Sequence, residues 1–360
     1  MKILIATGLY PPESGGPATY AKFLEDELPK QGVEVIVLPF KVVRAWPPGV
    51  RHVLYFLHCA RAARGVAVVY AQDTVSVGLP AALAARAMGV TFVVRVPGDY
   101  AWEQGRQRFG VVEEIDAFQH GRYGWRVELL RRLQRFVVRR AARVVVPSRY
   151  MQGVVSGWVN DPTKIICIYS SVALPVPHED PPQRPAGFLV VTTARLVPWK
   201  GIDRLIEVVA RESAWSLVVV GDGPERASLE GVAQQLRVRD RVQFVGQLPR
   251  AQALGWVAAA DVFVLNSTYE GLSYLLVETA SLGVPVIATR IGGNPEIIED
   301  EETGLLVPSQ DNEALHAALL RVQRNPEEAR RMARAGMARV TQHFASTSAI
   351  ASLVSTLNTL

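Results

Sequence analysis

Two glutamates eight residues apart, Glu270 and Glu278, stand in the stretch DVFVLNSTYEGLSYLLVETASLGVPVIAT (261–289). The run ending at Leu265 reads as a buried strand and the segment carrying Glu270 as a loop. From about Ser273 the pattern predicts a helix that carries Glu278 one to two turns in. At the carboxyl end of a strand in an open α/β sheet both carboxylates can reach one crevice, where such sheets bind ligands. Backbone N–H groups of Gly271, Leu272 and Ser273 would point from the helix N-terminus at an anion. A carboxylate can also accept the two vicinal hydroxyls of a ribose, a role that suits Glu278. Spacing alone fits a capping acid followed by a surface acid just as well. The stretch TTARLVPWKGIDRLIEVV (192–209) sets Arg195 and Lys200 in a loop between a strand and a helix that starts after Gly201. A guanidinium fork and an ammonium point charge held there could neutralise a diphosphate. A solvated basic loop is the plainer alternative. In YPPESGGPATYAKFLEDEL (10–28), Gly15–Gly16 falls between the first strand and the first helix. Backbone can approach a ligand closely there, or simply turn.

These residues need a scaffold, and the apolar runs supply it. Short β-branched stretches recur at 3–7, 33–38, 66–70, 91–96, 143–147 and 164–168, and again at 188–194, 215–220, 241–245, 261–265 and 284–288. Nearly all are continuously apolar, which is how strands read when both faces are covered, as in a parallel sheet flanked by helices. Helical patterns fill the gaps, for example from Pro17 to Lys30. The expectation is an α/β protein with two Rossmann-like, doubly wound parallel-sheet domains. Residues 173–187 (ALPVPHEDPPQRPAG) hold five prolines and read as a linker. The expected division is therefore an N-terminal domain over 1–172, the linker, a C-terminal domain over 188–340, and a separate helical segment over 341–360.

Composition narrows the function classes. In 360 residues, 49% are hydrophobic and 20% charged, the profile of a globular protein and not of a disordered one. Two cysteines, Cys59 and Cys167, cannot build a disulfide framework, and six scattered histidines show no metal-ligand spacing. The opening MKILIATGLYPPE lacks the apolar core and cleavage site of a signal peptide, and no run reaches the ~18 apolar residues of a spanning helix. A cytoplasmic setting is expected. Thirty-nine basic against thirty-four acidic residues favour an anionic partner.

Absences sharpen the reading. No two aspartates stand as Asp-x-Asp, so a metal-clamped nucleotide-sugar site of that type has no ligands. VVVGDGPER (218–226) carries Arg226 where a dinucleotide fingerprint needs its third glycine, and GLSYL (271–275) lacks the last glycine of a nucleophile elbow. No glycine-rich loop ends in Gly-Lys-Ser/Thr. In order and spacing, however, the GG loop, ARLVPWKG, VVVGDGPE, VQFVGQLP, EGLSYLLVETASLGVPVIAT and IGGNPEIIEDEETGLLVP resemble the retaining family 4 glycosyltransferases of GT-B fold through most of the chain.

The resemblance implies a fold in which two Rossmann-like domains face a central cleft, and a metal-independent site for a nucleotide-sugar donor, with UDP-sugar favoured over GDP-sugar. It implies that Glu278 holds the ribose, Arg195 and Lys200 the diphosphate, and Glu270 the transferred sugar, with the backbone of Gly271, Leu272 and Ser273 beside phosphate and sugar. Loops at Gly221–Gly223 and Val245–Leu248 would wall the base, and Gly16 would contact phosphate or acceptor. Many members carry a histidine after the fourth strand; here the segment reads RVPGDYAWEQ. Asp99 occupies that neighbourhood, as a catalytic residue at an acceptor or sugar hydroxyl or as part of a Gly-Asp turn. Where the family often has Asn-Gly-Val before the linker, this chain has Ser170-Ser171-Val172. The acceptor would be a glycan, a lipid-linked sugar or a small molecule.

Residues 122–149 hold nine arginines and one acid, Glu128. Leu129, Leu133, Phe136 and Val137 form an apolar stripe, and Arg131, Arg135 and Arg139 share a face. Such a helix suits an anionic membrane surface; packing of its stripe on the sheet is the alternative. No nucleic-acid-binding module accompanies the charge. Two other functions compete: a GT-B sugar-nucleotide epimerase, which takes the donor without an acceptor, and a two-lobed sugar-binding protein, which would bind sugars and no nucleotide.

Overall fold

The apolar runs become two six-stranded sheets, every strand pair parallel. The structure, a computed structural model, describes residues 1–13, 15–171, 174, 178–181 and 183–360. Part of the expected linker (173, 175–177 and 182) and Val172 lie outside the described residues. The chain divides into two units: Met1–Ser170 together with Thr347–Leu360, and Ser171–Ser346.

In the first unit the strands are β1 (Lys2–Thr7), β2 (Glu34–Pro39), β3 (Val68–Ala71), β4 (Thr91–Arg95), β5 (Arg143–Val146) and β6 (Ile165–Cys167), ordered β2-β1-β3-β4-β5-β6. The helices are α1 (Gly16–Glu27), α2 (Val50–Ala62), α3 (Gly78–Met88), α4 (Tyr100–Arg108), α5 (Ile115–His120), α6 (Trp125–Arg140) and α7 (Arg149–Ser156). Leu4, Val69, Val94 and Val144 from four neighbouring strands share one core with Val77, Val137 and Trp158. The chain order reverses between β1 and β3, so the loops after those two strands flank a topological switch point. Gly16 opens α1 in one of them.

In the second unit the strands are β7 (Phe188–Thr193), β8 (Trp215–Val220), β9 (Val242–Gly246), β10 (Val262–Leu265), β11 (Val286–Thr289) and β12 (Leu305–Val307), ordered β12-β11-β10-β7-β8-β9. The helices are α8 (Ile202–Ala210), α9 (Arg226–Gln235), α10 (Arg250–Ala258), α11 (Tyr274–Ser281), α12 (Asn294–Ile297), α13 (Asn312–Arg324) and α14 (Pro326–His343). This is the Rossmann order, with the switch point between β7 and β10, which pair at Val190–Val262 and Val191–Phe263. Val190, Leu217, Val264 and Ile287 pack with Leu205, Leu319 and Trp215 in its core.

One expectation is corrected here. The segment after 340 is not one separate helix: α14 runs to His343, and α15 (Ser346–Asn358) follows it. Residues from Thr347 onward belong to the first unit. The apolar stripe on α6, for which a membrane surface and packing on the sheet were the alternatives, divides: Val137 is buried and Leu133 half-buried. The buried residues are Val127, Arg131, Gln134, Val137 and Val138, while Leu129 and Phe136 are exposed. Arg131 goes inward because its guanidinium finds the carbonyls of Gln119 and Gly121, both at 2.8 Å, and Glu128 at 2.9 Å. A buried charge so satisfied is tolerated.

Candidate active site

The loops after β7 and β10, on either side of the second unit's switch point, are fastened to each other. Asn266 Nδ2 donates to the Gly201 carbonyl at 2.8 Å, and the Thr268 N–H to the Trp199 carbonyl at 2.8 Å. That brings Lys200 to Glu270, which accepts from Lys200 Nζ and, at 2.8 Å, from Ser267 Oγ on the same oxygen. Both partners are largely buried. Arg195 lies on the same loop as Lys200 but is exposed, and its guanidinium makes no ion pair among the described residues. One cation is thus held by a carboxylate and the other stands open to an anion.

Ser273 caps α11, its Oγ accepting from the Leu276 N–H at 3.3 Å, so the helix begins where the Ser-initiated pattern predicts. Glu278 is its fifth residue and only 7% exposed. Burial pushes its carboxyl above the usual carboxylate range, opposed by Arg250. Arg250 Nε donates to Glu278 Oε1 at 2.8 Å and Nη2 donates to the same oxygen, leaving Oε2 out of the pair. The sequence reading missed Arg250. It opens α10, and its one signal was a basic residue directly after the β9 loop.

Glycines set the remaining walls. Gly221 has φ 130°, and a Cβ there would sit 1.9 Å from the Ala194 carbonyl oxygen. A Cβ on Gly223 would sit 2.4 Å from that of Leu196. The β8 loop therefore lies directly on the backbone that carries Arg195, where Leu196 N–H donates to the Asp222 carbonyl at 3.0 Å. Gly221 N–H donates to the Gly246 carbonyl at 2.8 Å, which sets Val245, half-buried at the end of β9, beside the same wall. Gly292 meets the Glu270 carbonyl just as closely, at 1.9 Å from a Cβ, so the loop after β11 closes over Glu270 and Gly271. Gly271, Leu272 and Ser273 are all buried. The loops that carry Arg195, Lys200 and Glu270, the helix that carries Glu278 and these backbone walls all follow the carboxyl ends of strands of one sheet.

Gly16 and Asp99 belong to the first unit. Asp99 is fully buried at the N-cap of α4. Its Oδ1 accepts from Trp102 N–H at 3.1 Å and Gln134 Nε2 at 3.0 Å, and its Oδ2 from Gln119 Nε2 at 2.8 Å. The geometry of Asp99 is that of a capping carboxylate with its oxygens occupied. The switch point of this unit carries another carboxylate, Asp73, which the sequence reading passed over. It accepts from Ser76 Oγ at 2.8 Å and from the N–H groups of Val75 at 2.9 Å and Val77 at 3.1 Å. The surrounding protein desolvates it and lifts its carboxyl above the usual range. Among the described residues no group of His, Cys, Asp and Glu is arranged to hold a metal ion, and no helix is long and apolar enough to cross a membrane.

Two parallel doubly wound units are the architecture of the GT-B class of fold, and solved structures agree. HepE of Anabaena, crystallised with UDP and glucose, superposes with a TM-score of 0.80 at 18% identity over 100% of both chains. Sucrose-phosphate synthase of Thermosynechococcus elongatus gives 0.81 at 21% identity over 98% of this chain and 97% of that one. Residues 4–169 match the family described as glycosyl transferase 4-like domain, and residues 178–339 the family described as glycosyl transferases group 1. The chain belongs to the family 4 glycosyltransferases of GT-B fold. The lipopolysaccharide core biosynthesis glycosyltransferase LpsD of Rhizobium meliloti is 34% identical over 190 residues, 52% of this chain and 54% of its own length. The GDP-mannose-dependent phosphatidylinositol monomannoside mannosyltransferase of Mycolicibacterium smegmatis is 35% identical over 159 residues, 41% of this chain and 42% of its own. The matches span about half or less of these relatives' length.

Proposed function

We propose that this protein transfers a sugar from a nucleoside-diphosphate sugar, UDP-sugar in preference to GDP-sugar, to a glycan, lipid-linked or small-molecule acceptor, with retention at the anomeric carbon. One observation carries the reading: the loops after β7 and β10 bring the Lys200–Glu270 pair to a Rossmann switch point, with the open guanidinium of Arg195 on the first loop and the buried carboxylate of Glu278 on the helix that follows the second. Glu278 Oε2 takes the ribose hydroxyls while Arg250 holds Oε1. Arg195 binds the diphosphate as a fork, and Lys200 shares its charge between the diphosphate and Glu270, which orients the sugar. HepE was crystallised with UDP and glucose, and the M. smegmatis relative is named for GDP-mannose, so both bases stand among the relatives.

Retention is what the resemblance to the retaining members implies, and the carboxylates decide between its two routes. Glu278 is tied to Arg250, Glu270 to Lys200 and Ser267, and Asp99 to three donors. None is poised as the nucleophile that a double displacement needs. Same-face attack fits better. The bond from the anomeric carbon to phosphate oxygen breaks, the acceptor oxygen bonds to that carbon on the same face, and its proton passes to the departing phosphate. The fixed cations stabilise the growing diphosphate charge. In the first unit the arginine-bearing outer face of α6 gives a peripheral contact with an anionic membrane, where a lipid-linked acceptor would lie.

The test is a thermal-shift panel of UDP, GDP, ADP, NAD and free sugars, followed by mass spectrometry of products from a donor–acceptor screen. A ligand at 100 times its dissociation constant adds about 2.7 kcal/mol. Stabilisation by UDP and glycoside product with an acceptor is expected. Stabilisation by free sugars and by no nucleotide would mark a sugar-binding protein, and donor isomerised without an acceptor would mark an epimerase.

A further inference from the structure

The order β2-β1-β3-β4-β5-β6 makes the crossovers from β2 to β3, β3 to β4 and β4 to β5 step in one direction across the first sheet. Right-handed crossovers then place α2, α3 and α6 on the same face. They form one layer, α2 packed on α3 and α3 on α6, where a Cβ on Gly78 would touch Val137. An outer helical surface facing water should be polar. This one is not. On α2, Val53 is 61% and Leu57 54% exposed, and on α6 Trp125 is 73% exposed. Between α2 and α3 runs a groove of about 300 Å³ lined by His52, Val53, Phe56, Leu79, Pro80 and Leu83. On α6 a cavity of about 500 Å³ is bounded by Phe136 and the arginines 132, 135, 139 and 140.

Charge complements the apolar surface. The three helices carry nine arginines and one acid, Glu128, which is already paired with Arg131. Among the described residues, Arg135 Nε is buried without a hydrogen-bond partner. A second copy of this chain would meet the same arginines across a two-fold interface, so self-association is opposed by like charge. Apolar side chains interleaved with arginines suit the boundary between acyl chains and phosphate headgroups.

We propose that the outer surface of the α2–α3–α6 layer docks on an anionic phospholipid bilayer, the α2–α3 groove sinking to the acyl boundary and the α6 arginines holding lipid phosphates. It rests on the peripheral contact proposed above only at α6; the α2–α3 groove is its own observation. The experiment is flotation of the full chain with vesicles of phosphatidylglycerol and phosphatidylcholine in equal parts, and with phosphatidylcholine alone. The wild type should float with the anionic vesicles and stay behind with the neutral ones. Val53→Ser/Leu57→Ser/Leu83→Ser, all at exposed positions, should lower partition by about tenfold or more. Arg132→Gln/Arg140→Gln should lose binding to the anionic vesicles. Melting temperature and the UDP-induced shift should match wild type in both variants, which keeps the donor site apart from the outcome. A serine variant that floats like wild type would overturn the α2–α3 face and leave the α6 contact standing. No flotation of the wild type would overturn both. A wild-type dimer by light scattering, abolished by the serine changes without loss of flotation, would make the groove a self-association surface instead.

Discussion

Replacing Glu278 with glutamine isolates the ribose contact from everything else in the site. Arg250 binds only Oε1, and an amide oxygen in that position still accepts from it. What the glutamine cannot do is accept a second hydroxyl, because an NH2 group occupies the place of Oε2. The loss is one charge-assisted acceptor facing the sugar, about 1.5–3 kcal/mol, roughly ten- to a hundredfold in affinity. Uridine and UDP share the ribose, so both should weaken by the same factor. Folding should not suffer: burial already raises the Glu278 carboxyl, meaning the folded state disfavours its charge, and the neutral side chain should keep or raise the melting temperature. Isothermal titration of UDP and uridine, with thermal melts of the same samples, reads both quantities. Unchanged affinity for UDP, or a loss for UDP that uridine does not share, would refute the assignment of Glu278 to the ribose.

Arg195→Ala and Lys200→Ala should each weaken UDP much more than uridine, and equal losses for both ligands in titration would remove these side chains from the phosphates. Lys200→Ala should also lower the melting temperature, since it leaves Glu270 half of its pair; Arg195→Ala, open in the free protein, should not. Asp99→Asn turns one of the two glutamine-facing oxygens into a donor opposite a donor, costing about 1–3 kcal/mol of stability by denaturant titration with little change in turnover per folded molecule. A hundredfold loss of turnover in this variant, with a glycosyl adduct on Asp99 of the unsubstituted protein by intact-protein mass spectrometry, would contradict both the capping role and same-face attack. Asp73 holds its proton more tightly folded than unfolded, so its contribution to stability is complete below the ordinary carboxylate pKa, about 4, and is lost as pH rises through the raised value. Asp73→Asn should flatten that stretch of the melting-temperature profile, and an unaltered slope would count against it.

The fold was readable because strands covered on both faces cannot hide: Ile3–Ala6 in β1 and Leu217–Val220 in β8 are apolar at every position. β12 escaped notice because three residues, Leu305–Val307, carry no period of their own. In the site, Glu270 and Lys200 could each be put on a loop after a strand of the same half, and the β7–β10 pairing is what makes them meet. Arg250 could not be foreseen as the partner of Glu278, since 28 residues separate them and the pairing exists only once α10 and α11 pack. For α6 the 3.6-residue period identified stripes without deciding which faces inward. The decision came from carbonyls of Gln119 and Gly121, outside the helix, that accept from Arg131. Periodicity fixes a helix's faces; tertiary hydrogen bonds choose among them.

Because residues from Thr347 onward belong to the first unit, that unit is interrupted in chain order by the whole of the second. During synthesis the first sheet can form early, but its unit stays incomplete until α15 has left the ribosome, after the second unit is already available to fold. Nascent chains stalled before Thr347 should therefore hold a finished second unit beside an open first one. Deleting the last fourteen residues should likewise loosen the strands farthest from the cut in sequence and spare those nearest to it.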